Sequence, residues 1–202
     1  DIEDGLLEED NEQKLLNNLN EDIYDSDLVL VADYGHGLIT PNVVQFIQEK
    51  AAFLAVNTQI NSSNIGFHTI SKYAKADFVC IHEGELRHDY RSRTRPKEEL
   101  IENLFEKMKC KSIIITQGKQ GITGYDQKTG MVKCPAFANR VIDRVGAGDS
   151  VLAITALCLT VDMPLESILM LGNLAGAQSV ETVGNKRGID KTQLLKSLKS
   201  LL

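Results

Sequence analysis

The sequence predicts an α/β fold, a largely parallel sheet with helices on both faces. Three observations lead there. Short apolar runs at 27–33, 53–56, 77–81 and 112–115 alternate with stretches of helical periodicity. Each run ends in glycine, hydroxyl, amide or carboxylate residues, as strand ends facing a ligand crevice do. The chain has 202 residues, 43% of them hydrophobic and 25% charged, which suits one soluble globular domain with a real core.

In chain order, residues 1–10 are acidic and unpatterned, and 11–23 carry Leu15, Leu16, Leu19 and Ile23 at helical spacing. This gives a lead-in over 1–26 and a main body over 27–202. The run 27–33 is nearly continuous in apolar residues, as a strand buried on both faces would be. It ends in Asp33-Tyr34-Gly35-His36-Gly37. Thr40-Pro41 reads as a helix N-cap with proline in the first turn. The strand at 53–56 ends in Asn57-Thr58-Gln59, and a polar loop with a short helical piece runs on to Tyr73. The strand at 77–81 ends in His82-Glu83-Gly84-Glu85, opening a charged segment to Arg95 that reads as solvated loop. An amphipathic helix at 96–108 precedes the strand at 112–115, which ends in Thr116-x-Gly118-x-x-Gly121. Residues 122–125 and 131–133 read as a β-hairpin about a glycine-containing turn. A β-like run at 141–142 then passes through a glycine turn into an apolar helix at 151–161, and further helices follow at 164–182 and 190–201.

The net charge of −6 argues against DNA or RNA as a partner. No apolar run approaches a membrane span, and the acidic N-terminus does not resemble a signal peptide. Cys80, Cys110, Cys134 and Cys158 form no CxxC pair, and three of them lie in or beside apolar runs, which fits reduced thiols in a cytoplasm. No histidine spacing suggests a metal site.

The richest stretch is 141–150. A glycine turn opening directly into a helix presents unpaired N–H groups and the positive end of the helix dipole, a ready site for a phosphoryl group. Asp149 is then a carboxylate where an anion should bind, which makes sense if it takes a proton from a substrate hydroxyl. The plainer reading is that Asp149 caps the helix. Thr116, Gly118 and Gly121 could cradle a nucleotide phosphate or form an ordinary turn. Glu85 could orient hydrated Mg²⁺ or sit on a solvated face. Asp33 could hold a substrate hydroxyl or cap its loop, and Asn173 could face a nucleobase or solvent.

Taken together, these motifs resemble the ribokinase-like (PfkB) carbohydrate kinases. Asp143-x-x-Gly146-Ala147-Gly148-Asp149 is similar to the family's C-terminal signature, and Thr116-x-Gly118-x-x-Gly121 to its nucleotide-phosphate loop. His82-x-x-Glu85 falls where the family has Asn-x-x-Glu, and Asn173-Leu174-Ala175-Gly176-Ala177 with Gly184 resembles the elements bordering adenine. Asp33-Tyr34-Gly35-His36-Gly37 is similar to a motif of heptose-phosphate kinases, including those fused to a nucleotidyltransferase. The departures are His82 for Asn, Asn57 for Asp, His36 for Lys, and Arg144-Val145 before the glycines.

The resemblance implies an ATP- and Mg²⁺-dependent sugar or sugar-phosphate kinase, heptose phosphate foremost. Asp149 would be the base, with Gly146, Ala147 and Gly148 as the anion hole. Thr116, Gly118, Gly121, Asn173 and Gly184 would hold ATP, and Glu85 would support Mg²⁺ through water. Asp33, His36 and Asn57 would meet the sugar, and Asp143 would lie near a K⁺ site in those members that have one. It further implies that the chain is the C-terminal, nucleotide-binding portion of such a domain, lacking the upstream strands and lid. The sheet edge so left would favour self-association. The rival readings are a non-catalytic binding or assembly module on the same fold, and a kinase of a vitamin or nucleoside.

Overall fold

The computed structural model of the chain describes residues 5, 7–138, 140–181 and 188–201. Its strands follow the order β1-β2-β3-β4-β5-β6 in a six-stranded sheet. The chain divides into two compact units, Asp1–Val79 with Gly84–Lys111, and Cys80–Glu83 with Ser112–Leu202.

The first unit holds α1 (Glu9–Asp22), β1 (Val29–Asp33), α2 (Pro41–Lys50), β2 (Leu54–Thr58), the start of β3 (Phe78–His82), nearly all of α3 (Glu83–Asp89) and α4 (Lys97–Met108). β1 pairs in parallel with β2, and β2 with β3, so that Asp33 and Thr58 lie level at the carboxyl ends. Thr40 caps α2 as expected, its hydroxyl oxygen accepting from the Val43 N–H at 3.2 Å. The Thr40 hydroxyl in turn donates to Glu12 of α1, whose other oxygen accepts from Asn42 at 2.9 Å. That carboxylate sits where the α2 dipole favours negative charge. Val43, Val44 and Ile47 of α2 and Leu100, Ile101, Leu104 and Met108 of α4 are buried, as their helical spacing requires.

The second unit holds the end of β3, then β4 (Ser112–Thr116), β5 (Ile122–Asp126), β6 (Gly130–Cys134), α5 (Ala147–Thr160), α6 (Leu165–Val180) and α7 (Lys191–Leu201). The hairpin read from sequence is present, and β4, β5 and β6 run antiparallel in succession. Helix α6 sits close against β5 and α5 because glycines face it or lie on it. A Cβ on Gly124 would come within 2.8 Å of Leu169, and one on Gly172 within 2.6 Å of Thr155.

Three local expectations are corrected. Strand β1 is not buried on both faces: Leu30 is 39% exposed and Ala32 is exposed too. It stands first in the strand order, and α1 buries none of its own residues to cover a face. The charged segment after His82 is helical over Glu83–Asp89, with only Leu86 buried, so its apolar periodicity was too thin to register. Residues 141–142 form no strand, and α5 begins at Ala147 rather than 151. Apolar periodicity marks where that helix enters the core, whereas its start is set by backbone geometry at Gly146.

Candidate functional site

In the second unit the glycine turn forms the start of α5. Gly146 takes the left-handed conformation (φ +79°) that suits glycine, and its carbonyl accepts from the Ser150 N–H at 3.0 Å. Gly146, at the N-cap, has no side chain with which to cap this end. A Cβ on Gly148 would meet no described residue within 4 Å, so the α5 start is open at that position. The Gly148 N–H has no acceptor within the helix, since its fourth preceding residue lies outside it. Asp149 is half-buried in the first turn, two residues inside the helix, and is therefore not its N-cap. Asp143 shapes the approach: its carboxylate accepts from the Val145 N–H at 3.0 Å. The backbone N–H groups of Ile142 and Asp143 both donate to the Val180 carbonyl at the end of α6.

Thr116 ends β4, and Gly118 and Gly121 lie on the short link from there to β5. Gly118 (φ +55°) opens to space, whereas a Cβ on Gly121 would come within 2.1 Å of the Cys134 carbonyl. Gly121 is thus needed for close backbone packing. The organiser of this link is Gln117, which sequence reasoning passed over. Its amide N–H donates to Glu83 at 2.7 Å, and its amide oxygen accepts from the Thr123 hydroxyl at 2.7 Å. Beside Glu83, His82 is held below its ordinary imidazole value by desolvation, which outweighs the opposing pull of the Glu83 carboxylate.

Asn173 is buried, and its amide nitrogen donates to the Cys134 and Pro135 carbonyls at 3.1 and 3.0 Å. It pins the segment leaving β6 against α6. That segment and α6 border a cavity of about 400 Å³ lined by Ala136, Phe137, Leu174, Ala177, Gln178 and residues of α7. This volume lies within the range of small-molecule sites. Gly184 falls outside the described residues.

In the first unit Asp33 is 3% exposed and fully engaged. One oxygen accepts from the Gly35 N–H at 3.0 Å, and the other from Lys72 at 2.8 Å and the Tyr73 hydroxyl at 2.7 Å. Lys72 also donates to the Ile39 carbonyl. The Tyr73 hydroxyl is pushed far above its usual range, first by burial and then by the Asp33 charge. His68 lies against the Asp33 carbonyl at 3.1 Å. His36 is exposed on the turn, Asn57 is half-buried in β2, and Glu85 lies in α3 with one oxygen accepting from the Ile60 N–H at 3.2 Å. His68, Lys72 and Tyr73 were missed because they are 35 to 40 residues from Asp33, and no local pattern announces the pairing.

No helix among the described residues is long and apolar enough to cross a membrane.

Comparison with known proteins gives the chain its family. The model of the pfkB family carbohydrate kinases matches residues 7–192. The bifunctional protein HldE of Campylobacter jejuni (serotype O:2) is 31% identical over 188 residues, covering 92% of this chain and 39% of that protein. HldE of Bradyrhizobium diazoefficiens is 26% identical over 176 residues, covering 86% of this chain and 35% of its own length. The chain thus spans about two fifths of these relatives' lengths. Among solved structures, Escherichia coli phosphofructokinase-2 in complex with potassium superimposes with a TM-score of 0.80 at 18% identity, covering 97% of this chain and 63% of that one. Ribokinase from Thermotoga maritima gives 0.69 at 18% identity, over 89% of this chain and 59% of that one. The likeness to both structures carries the ribokinase-like fold, and with the family match across residues 7–192 the chain belongs to the pfkB family of carbohydrate kinases.

Proposed function

We propose that this chain is the nucleotide-binding part of an ATP-dependent kinase that phosphorylates a hydroxyl of a sugar or sugar phosphate, with heptose phosphate the leading class. The observation that carries the reading is the start of α5. A helix end with glycine at its N-cap, a second glycine whose Cβ position is open among the described residues and a carboxylate in the first turn combine an anion site with a base. Asp149 accepts the proton of the attacking hydroxyl. Gly146, Ala147 and Gly148 receive the phosphoryl group through backbone N–H groups. The turn Asp33-Tyr34-Gly35-His36-Gly37, similar to a motif of heptose-phosphate kinases, favours the heptose class.

The cavity beside Asn173 is assigned to the nucleobase, and Thr116 and Gly118 to the nucleotide phosphates. Mg²⁺ binds through few carboxylates, with phosphate oxygens and water completing its shell. Glu85 fits as one such carboxylate, being half-buried and oriented by the Ile60 N–H. When bound, the ion would offset phosphate charge. Asp143, which already folds the turn before α5, is assigned to the border of a K⁺ site. His36 and Asn57 are assigned to sugar hydroxyls, and Asp33 to fixing the turn that carries His36.

The test is Asp149→Asn. It should lower kcat by at least about a hundredfold while ATP binding, read by calorimetry, stays within about twofold. Unchanged turnover would overturn the assignment. Nucleotide binding without turnover in the parent protein would favour the non-catalytic module instead.

A further inference from the structure

The loop after β2 is held by an unusual number of its own polar groups, yet it delivers apolar side chains to solvent. The Asn64 amide nitrogen donates to the Tyr34 and Gln59 carbonyls at 2.9 and 3.0 Å, and Asn61 donates to the same Tyr34 carbonyl at 3.1 Å. Asn61 also accepts from the Ser63 and Asn64 N–H groups, and the Asn64 side-chain oxygen accepts from the Asn61 N–H at 2.8 Å. The Phe67 and His68 N–H groups donate to the Asn64 carbonyl, and the Gly66 N–H to His88 at 3.0 Å. Beneath the loop Gly35 (φ +73°) leaves no room for a Cβ, which would lie 2.4 Å from Asn64.

On this fixed loop Phe67 is 94% exposed and Ile65 59% exposed, with Tyr34 part-exposed on the adjoining turn. Isolated exposed apolar residues are ordinary. A phenyl ring held in water by a loop this well ordered is not, because ordering a loop normally serves to bury its largest apolar group. The location supplies a reason. The loop leaves the carboxyl end of β2, level with that of β1, where α/β sheets bind ligands. Residues 59–67 carry no charged side chain, and Gln59, Ser62 and Ser63 are exposed. An aromatic face set among neutral amide and hydroxyl groups suits a ring with C–H faces and hydroxyl edges.

We infer that Phe67, with Ile65 beside it, forms an apolar platform on which the ring of the sugar substrate stacks. This rests on the kinase reading above and names a specificity-determining residue within it. Phosphate is not the group recognised here, since the loop offers it no cation.

The chain contains no tryptophan, so Phe67→Trp makes the platform its single tryptophan, which can be excited apart from the five tyrosines. Sedoheptulose monophosphate and mannose monophosphate should change its emission saturably, and ATP should not. By calorimetry, Phe67→Ala should weaken sugar binding about tenfold and leave ATP binding unchanged, while Phe67→Tyr stays within about twofold of the parent. Sugar affinity untouched by Phe67→Ala would overturn the inference and leave the kinase reading standing. ATP binding without binding of either sugar would do the same. Loss of an oligomer on Phe67→Ala, seen by light scattering, would overturn it in favour of contact between copies. If neither ATP nor sugar binds the parent protein, both readings fall together.

Discussion

Lys72 and Tyr73 converge on one oxygen of Asp33, so a carboxylate that resembles a substrate contact in sequence is a buried junction in the fold. Each donor offsets part of the cost of burying that charge. Tyr73→Phe removes a neutral donor and should cost about 1–2 kcal/mol. Lys72→Met removes the counter-charge and should cost about 2–3 kcal/mol, below the figure for a fully buried pair because the Lys72 side chain is 24% exposed. Urea unfolding of both variants checks this, and losses under about 0.5 kcal/mol would mean that water replaces the donors. The two effects should not add, since both act on one oxygen.

At the scale of elements, two glycines on adjoining helices have opposite duties. A Cβ on Gly172 collides with Thr155 of α5, so Gly172→Ala should destabilise the protein by about 1–3 kcal/mol through forced separation of α5 and α6. A Cβ on Gly148 meets nothing, so Gly148→Ala should leave the melting temperature within about 2 °C of the parent while weakening nucleotide binding. A parallel loss of stability in both variants would show that the start of α5 is a packing site. The sequence made the alternation of strands and helices, the Thr40-Pro41 start and the β5–β6 hairpin legible, because each rests on local chemistry. It made the glycine turn legible as the entry to a helix, but not the point where α5 begins, which depends on one positive φ at Gly146. Gln117, Asn64 and Lys72 were illegible for another reason. Their partners come from distant segments, and an amide or ammonium gives no sign in sequence of where it will donate.

Across the whole molecule, pH should act through groups in both units. Burial, with a smaller push from the Asp77 charge, pushes the Cys110 thiol up to about 12. The unfolded thiol ionises first, so the stability this group contributes is complete below about pH 9 and is lost as pH rises toward about 12. His82 works from the other side. Its folded value is depressed, so its contribution is present above its unfolded value near 6.5 and declines as pH falls below it. Unfolding midpoints should therefore drop at both ends, with Cys110→Ala flattening the alkaline limb alone; an unchanged limb would assign that loss to other groups. The units also share a device. Asn64 in the first and Asn173 in the second each place one amide nitrogen between two carbonyl oxygens, Tyr34 and Gln59 in one case, Cys134 and Pro135 in the other. Deamidation at either position would turn that donor into a charged oxygen facing two others. Chemical ageing of a stored sample should therefore be uneven: at these two asparagines conversion to aspartate would turn a fastening into a repulsion against two carbonyls at once.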